Sequence, residues 1–169
     1  VRITGVISSA TITPASLVAG ASGNAVLAFT TASELPANGK VVVTFPAGFD
    51  LATDAPAATS SDVDGTYVTT VADQVVTITR QNDGTDEAAG PITDLTLSNI
   101  KNPGVSGDTG TFTITTTESS GVTIDTNTDV NSVRITGVIS SATIPPASLV
   151  AGDSGNAVLA FTMSNPLPK

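Results

Sequence analysis

Apolar and small or polar residues alternate along most of this chain with a period of two. Residues 109–117 (TGTFTITTT) alternate strictly and place Phe112 and Ile114 on one face, as a half-buried strand requires. Residues 40–45 (KVVVTF) form the most apolar run, stopped by Pro46, and residues 49–51 extend it after a kink. The same reasoning predicts strands over 1–8, 25–31, 92–100 and 121–125, and a hairpin from 66–71 and 74–80 around Ala72-Asp73. Turn clusters punctuate them: AGASGN at 19–24, LPANG at 35–39, the acidic QNDGTDEAAGP at 81–91 and Asn102-Pro103-Gly104. Residues 52–64 read as a polar loop, and residues 125–132 (DTNTDVNS) as a polar linker. No stretch carries a helical period. The expectation is an all-β domain of about eight or nine short strands, a sandwich or barrel, with Phe29, Phe45, Phe49 and Phe112 as the large core fillers.

One segment of the pattern recurs. Residues 1–30 and 133–162 differ only where Thr13 becomes Pro145 and Ala21 becomes Asp153, and Leu35-Pro36 answers to Leu167-Pro168. The offset of 132 residues is a normal size for a domain with its own core. Residues 1–132 therefore read as one complete sandwich repeat. Residues 133–169 read as the opening of the next, two strands that are marginal alone and are expected to pack on or complement another unit. A chain that starts without Met and stops mid-repeat suggests a window on a longer array.

Composition narrows the chemistry. The chain has no Cys, His or Trp, and its net charge is −9. Ser-His and Cys-His nucleophile pairs are thereby excluded, and no enzyme is expected. The acidity argues against nucleic acid and against anionic membrane surfaces, and no apolar run is long enough to span a bilayer. Asp125, Asn127 and Asp129 place oxygen donors at alternate positions at the junction between repeats, which makes them candidate calcium ligands. A solvated linker is the simpler reading of the same run. Asp62, Asp64, Asp83, Asp86 and Glu87 are a weaker version of the pattern, since acidic turns are common. No other cofactor is implied. Thr77/Thr79 and Thr111/Thr113/Thr115/Thr117 could array hydroxyls for a surface such as ice, although β propensity explains them more cheaply. Lys40 and Lys101 are the candidates for a Lys–Asn crosslink. Only Phe49 and Tyr67 could supply a sugar-stacking ring.

The segments PASLVAGASGNAVLAFT, VVVTFPAGFDL and LTLSNIKNPGVSGDTGTFTITT together resemble immunoglobulin-like β-sandwich repeats of large extracellular surface and filament proteins. That resemblance covers nearly all of the 132-residue unit and lacks the Cys pair and core Trp of antibody domains. It implies an extracellular or cell-surface location and a structural role in a filament, stalk or fibre. The partners would be neighbouring copies of the same repeat, linked end to end by sharing strands or faces. The alternative is an adhesin module that recognises a carbohydrate, ice or host surface.

Overall fold

A computed structural model describes residues 3–163, and the expectations for Val1, Arg2 and the Leu167-Pro168 pair lie outside it. The described residues are all-β, with fourteen strands and no helix. Most of them build a two-sheet sandwich. One sheet has six strands in the order β1 (Gly5–Val6), β11 (Thr123–Val130), β10 (Phe112–Thr117), β4 (Lys40–Thr44), β7 (Val75–Arg80) and β6 (Tyr67–Ala72). The other has four, in the order β2 (Ser8–Pro14), β3 (Ser22–Thr30), β8 (Pro91–Lys101) and β5 (Ala58–Thr59). Every pairing in these two sheets is antiparallel except β1 with β11.

The alternation in sequence becomes the two faces of each sheet. Ala25, Leu27 and Phe29 of β3, with Leu95, Leu97 and Ile100 of β8, face Val41 and Val43 of β4, Val76 and Ile78 of β7, and Phe112 and Ile114 of β10. Phe45, Phe49 and Phe112 close one region of this core, with ring centroids 5.3–5.6 Å apart. Residues 49–51 do not extend β4 as expected: the chain turns at Ala47-Gly48, with Gly48 at φ +102°, Phe49 faces the core, and Asp50 bridges Lys101 of the other sheet. The β6–β7 hairpin turns through Asp73, whose φ of +53° is the left-handed conformation that an Asp tolerates.

Other segments differ from expectation. The expected loop 52–64 carries the short strand β5, which pairs with β8 at the edge of the smaller sheet. The expected first strand, 1–8, is divided. Gly5 and Val6 pair with β11, Ile7 is fully buried between the sheets, and the chain then enters the other sheet as β2. Ser9, at φ +50°, makes the bulge that permits this crossing. The expected polar linker, 125–132, is mostly β11, which lies between β1 and β10 in the larger sheet. It escaped the alternation rule because its inward residue at 125 is an aspartate.

The start of the second copy belongs to the first sandwich. β12 (Arg134–Ile135) pairs antiparallel with β9 (Gly107–Asp108), and Thr136 bridges Val18 in parallel. β13 (Ile139–Thr143) and β14 (Ala160–Met163) then form their own two-stranded sheet. Its register repeats that of β2–β3. Ser140↔Thr162, Thr143↔Ala160 and Pro146↔Ala157 reproduce Ser8↔Thr30, Thr11↔Ala28 and Pro14↔Ala25. Ser141, at φ +54°, repeats the Ser9 bulge. β13 ends sooner than β2 where Pro145 replaces Thr13, because proline has no N–H for the ladder.

Candidate functional site: the carboxylates and the junction between copies

The acidic residues singled out from sequence lie in loops or on β11, and the carboxylates of Asp62, Asp64, Asp83, Asp86 and Asp125 accept hydrogen bonds from nearby donors. Asp125 is fully buried. Its Oδ2 accepts the backbone N–H groups of Ala32 and Ser33, each at 2.8 Å, and its Oδ1 accepts the Ser33 hydroxyl at 2.8 Å. The carboxylate therefore ties β11 to the chain leaving β3. Asn127 points elsewhere. Its Nδ2 donates to the Ile7 carbonyl at 3.0 Å, and its Oδ1 accepts the N–H of Asp129 at 2.9 Å. Asp129 itself is exposed. The three candidate calcium ligands are thus not brought around a common point. Among the described residues no group of three or more Asp, Glu, His or Cys is arranged to hold a metal ion.

The weaker acidic cluster proves to be two reciprocal clasps. Asp64-Gly65-Thr66 and Asp83-Gly84-Thr85 are the same tripeptide on facing loops. Asp64 accepts the N–H of Thr85 at 2.9 Å and its hydroxyl at 3.1 Å, and Asp83 accepts the N–H of Thr66 at 2.8 Å and its hydroxyl at 2.6 Å. Both glycines are required for the close approach. A Cβ at Gly84 would lie 2.4 Å from Asp64 Oδ1, and one at Gly65 would lie 2.7 Å from Asp83 Oδ1. The Thr85 amide bond holds Asp64 below the usual carboxylate range, and the Thr66 hydroxyl bond does the same for Asp83.

A separate clasp joins Asp62 to Thr93, with N–H and hydroxyl both at 2.6 Å, and Asp94 to Ser60 and Ser61. Burial pushes Asp94 up, but the hydrogen bonds from Ser60, Ser61 and the Asp62 amide outweigh it and hold Asp94 at about 2. Asp50 is likewise held at about 2, first by the Thr53 hydroxyl and then by the amides of Ala52 and Thr53. Asp86 accepts the Ala37 N–H at 2.8 Å.

Arg80 gathers the loops at that end of the sandwich. Its side chain is 2% exposed and forms an ion pair with Asp64 at 3.0 Å. It also donates to the carbonyls of Leu35, Pro36, Asp64 and Thr85. Sequence reasoning did not identify it. The signal was a lone arginine at the inward phase of β7, where the alternation calls for an apolar residue.

The remaining candidates are dispersed. Phe49 is 3% exposed in the core, and Tyr67 is half-buried with its hydroxyl on the Val63 carbonyl, so neither presents a stacking platform. Burial raises the Tyr67 pKa. Lys101 lies 3.5 Å from Asp50 at the surface. The neighbouring Asn102 is buried and donates to the carbonyls of Ser16 and Val18 at 2.7 and 3.0 Å. Thr77, Thr79, Thr113 and Thr115 do share the half-exposed outer face of the larger sheet with Val42, while Thr117 is buried.

The junction between copies is a built interface. Residues 133–136 lie between loop 16–19 on one side and residues 107–109 on the other. Thr109 donates its N–H to the Val133 carbonyl at 3.0 Å, Thr136 donates to the Leu17 carbonyl at 2.7 Å, and Ala19 donates to the Thr136 carbonyl at 2.9 Å. Ile135 is 1% exposed. Its counterpart Ile3 is 89% exposed. The hairpin that follows shows the opposite contrast. Ile7, Ile12, Leu27 and Phe29 are buried, whereas Ile139, Ile144, Leu159 and Phe161 are 64%, 67%, 58% and 40% exposed.

No protein-family model matches the chain, and no curated protein matches it in sequence. Among solved structures it is similar to a non-cellulosomal cohesin from the hyperthermophilic archaeon Archaeoglobus fulgidus, at 11% identity and a TM-score of 0.45, over 75% of this chain and 91% of that one. Similarity at that level carries no functional information. The class of protein here is an all-β sandwich, defined by its own sheets and core.

Proposed function

We propose that this chain is a structural repeat module of an extracellular filament, stalk or surface fibre, in which successive units are joined end to end by a shared strand. The observation that carries the reading is the burial of Ile135 and the pairing of residues 133–136 within the first sandwich. By sequence these residues open the second copy, yet by hydrogen bonding they complete the first. The next residues, Gly137 and Val138, answer to Gly5 and Val6, which are strand β1 of the first copy. A tandem array built this way has no free linker at its joints, so orientation passes from unit to unit.

The exposed face of the second hairpin supports the same role. Its four apolar residues are those that the first copy buries, each worth about 1.5–3 kcal/mol on full burial. They are matched to the rest of a sandwich of the same kind. An enzymatic role is not part of the proposal. The chain has no His or Cys, and the carboxylates of its acidic loops are taken up as clasps between loops. Calcium is not part of it either.

A compact unit of this length adds roughly 35–40 Å per repeat when stacked end to end. Negative-stain microscopy of the native material tests the reading. Long fibres of uniform width with that spacing are expected. Stalks that end in a distinct globular tip would instead favour the adhesin alternative, and discrete globular particles would refute both.

A further inference from the structure

The geometry points to a strand-acceptor groove on the sandwich, fitted to the tetrapeptide Val-Arg-Ile-Thr, which binds the opening segment of a second copy of this chain as it binds residues 133–136 of its own. The inference deepens the proposed array by naming the partner segment and its seat. Residues 1–4 and 133–136 have the same sequence. One isoleucine of the pair is 1% exposed and the other 89% exposed. The seat explains what the exposed one lacks.

The groove recognises its occupant mainly through backbone, as strand addition does. Its antiparallel wall is Gly107–Asp108, extended by the Thr109 amide, and its parallel wall is the segment around Leu17 and Val18. Specificity comes from the side chain at the third position. Ile135 is buried and lines a small cavity together with Ala47, Pro103, Val105 and Gly107. The Arg134–Asp108 pair, at 3.3 Å, is well exposed at both ends and adds orientation more than affinity.

The Leu17–Val18 wall is held in place without the occupant. Asn102, buried behind it, donates to the carbonyls of Ser16 and Val18, and Gly20 donates its N–H to the Pro103 carbonyl at 2.9 Å. None of these bonds involves residues 133–136, so this wall keeps its place in an empty groove, while the Gly107–Asp108 wall takes its strand partner from the occupant. The donor is equally prepared. In the first copy Gly5 is already in β1, so Ile3 and Thr4 are presented next to a folded unit, as Ile135 and Thr136 are next to Gly137.

The test uses the full chain carrying Ile135→Asp. An unpaired carboxylate cannot stay in that apolar seat, so the cis segment leaves and the groove opens. A fluorescent hexapeptide of sequence VRITGV is titrated and followed by anisotropy. Saturable binding to the Ile135→Asp chain is expected, with none to the native chain, whose groove is filled. The same peptide with aspartate at its third position should bind at least about tenfold more weakly. The Ile135→Asp chain should also self-associate, and the double variant Ile3→Asp with Ile135→Asp should not. If the Ile135→Asp chain does not fold alone, the peptide should restore its cooperative melt and the aspartate peptide should not. A folded variant that ignores the peptide, or an unfolded one that the peptide fails to rescue, overturns the groove. Either result leaves the cis joint and the fibre reading to microscopy.

Discussion

Replacing Asp125 with alanine separates a structural carboxylate from a metal ligand. The side chain is fully buried and receives three hydrogen bonds of 2.8 Å from Ala32 and Ser33. Asp125→Ala strands two backbone N–H groups and a hydroxyl. Bonds to a charged acceptor contribute about 1.5–3 kcal/mol each, but they act as one unit here. Relief from burying the charge offsets part of the loss, and water can reach Ala32 and Ser33 on their exposed side. A net destabilisation of about 3 kcal/mol follows. For a sandwich of this size that lowers Tm by roughly 10 °C. Differential scanning calorimetry of the native and variant chains, each with and without EDTA or added calcium, gives the measurement. The native chain should melt at one temperature in all three conditions, and the variant should lose the same amount in each. A variant that melts within about 3 °C of the native chain would show that the buried bonds contribute little. A native Tm that falls in EDTA would show that Asp125 and its neighbours do meet an ion.

Four further outcomes are expected. Arg80→Met should cost about 3–5 kcal/mol in urea denaturation, because it leaves the carbonyls of Leu35, Pro36 and Thr85 without their donor, and Arg80→Lys should recover little, since a single ammonium cannot span three loops. Gly5→Ala should destabilise the β1–β11 pairing, because the new Cβ would lie 1.9 Å from Asp125 Oδ1, and hydrogen exchange at Ile7 reads the loss. Asp50 and Asp94 ionise more readily folded than unfolded, so their stabilisation is complete above the ordinary value of 3.8 and is lost as pH falls through about 2. Tm should therefore stay level down to about pH 4, fall between pH 4 and 2, and fall less steeply in Asp94→Asn. Leu27→Ala should cost about 2–5 kcal/mol, whereas Leu159→Ala, at the same position of the second copy, should change the melt of the sandwich by less than about 0.5 kcal/mol.

The strands most legible from sequence are those with large apolar residues at successive inward positions: β3 with Ala25, Leu27 and Phe29, and β10 with Phe112 and Ile114. β11 was not, because Asp125 stands at an inward position and Asn127 beside it is polar, so its alternation reads as a solvated run. β2 was hidden for a different reason. A bulge at Ser9 interrupts its period, and it contributes few apolar residues to the core. The clasps were half legible. The tripeptide Asp-Gly-Thr occurs on both sides of the β6–β7 hairpin, and its repetition is a sequence signal. That each aspartate takes the threonine of the other loop is a tertiary fact, created by the hairpin bringing residues 64–66 and 83–85 face to face.

The repeat itself illustrates the same division between what a string of residues carries and what it does not. A period of 132 residues sets the length of the unit but not its phase, since any starting point gives the same recurrence. The polar run at 125–132 suggested a phase, and it misled because polarity there belongs to a strand that bonds inward. Hydrogen bonding extends the first sandwich over residues 5–136, so in the proposed array the boundary would fall after Thr136, inside a sequence that alternation marks as one strand. The displacement is only four residues, but it reverses the mechanical expectation. A boundary in the polar run would let units swivel about flexible chain. In the proposed array, a boundary between Thr136 and Gly137 would put Gly137 and Val138 where Gly5 and Val6 stand in β1, so the strand leaving one groove would lead directly into the next sheet. Bending such a joint must break the bonds of Leu17, Ala19 and Thr109 to residues 133–136 or withdraw Ile135 from its seat. Ile135→Ala, which weakens the seat without placing a charge in it, is therefore the substitution that should raise the spread of angles between adjacent units in a longer array while leaving their spacing unchanged.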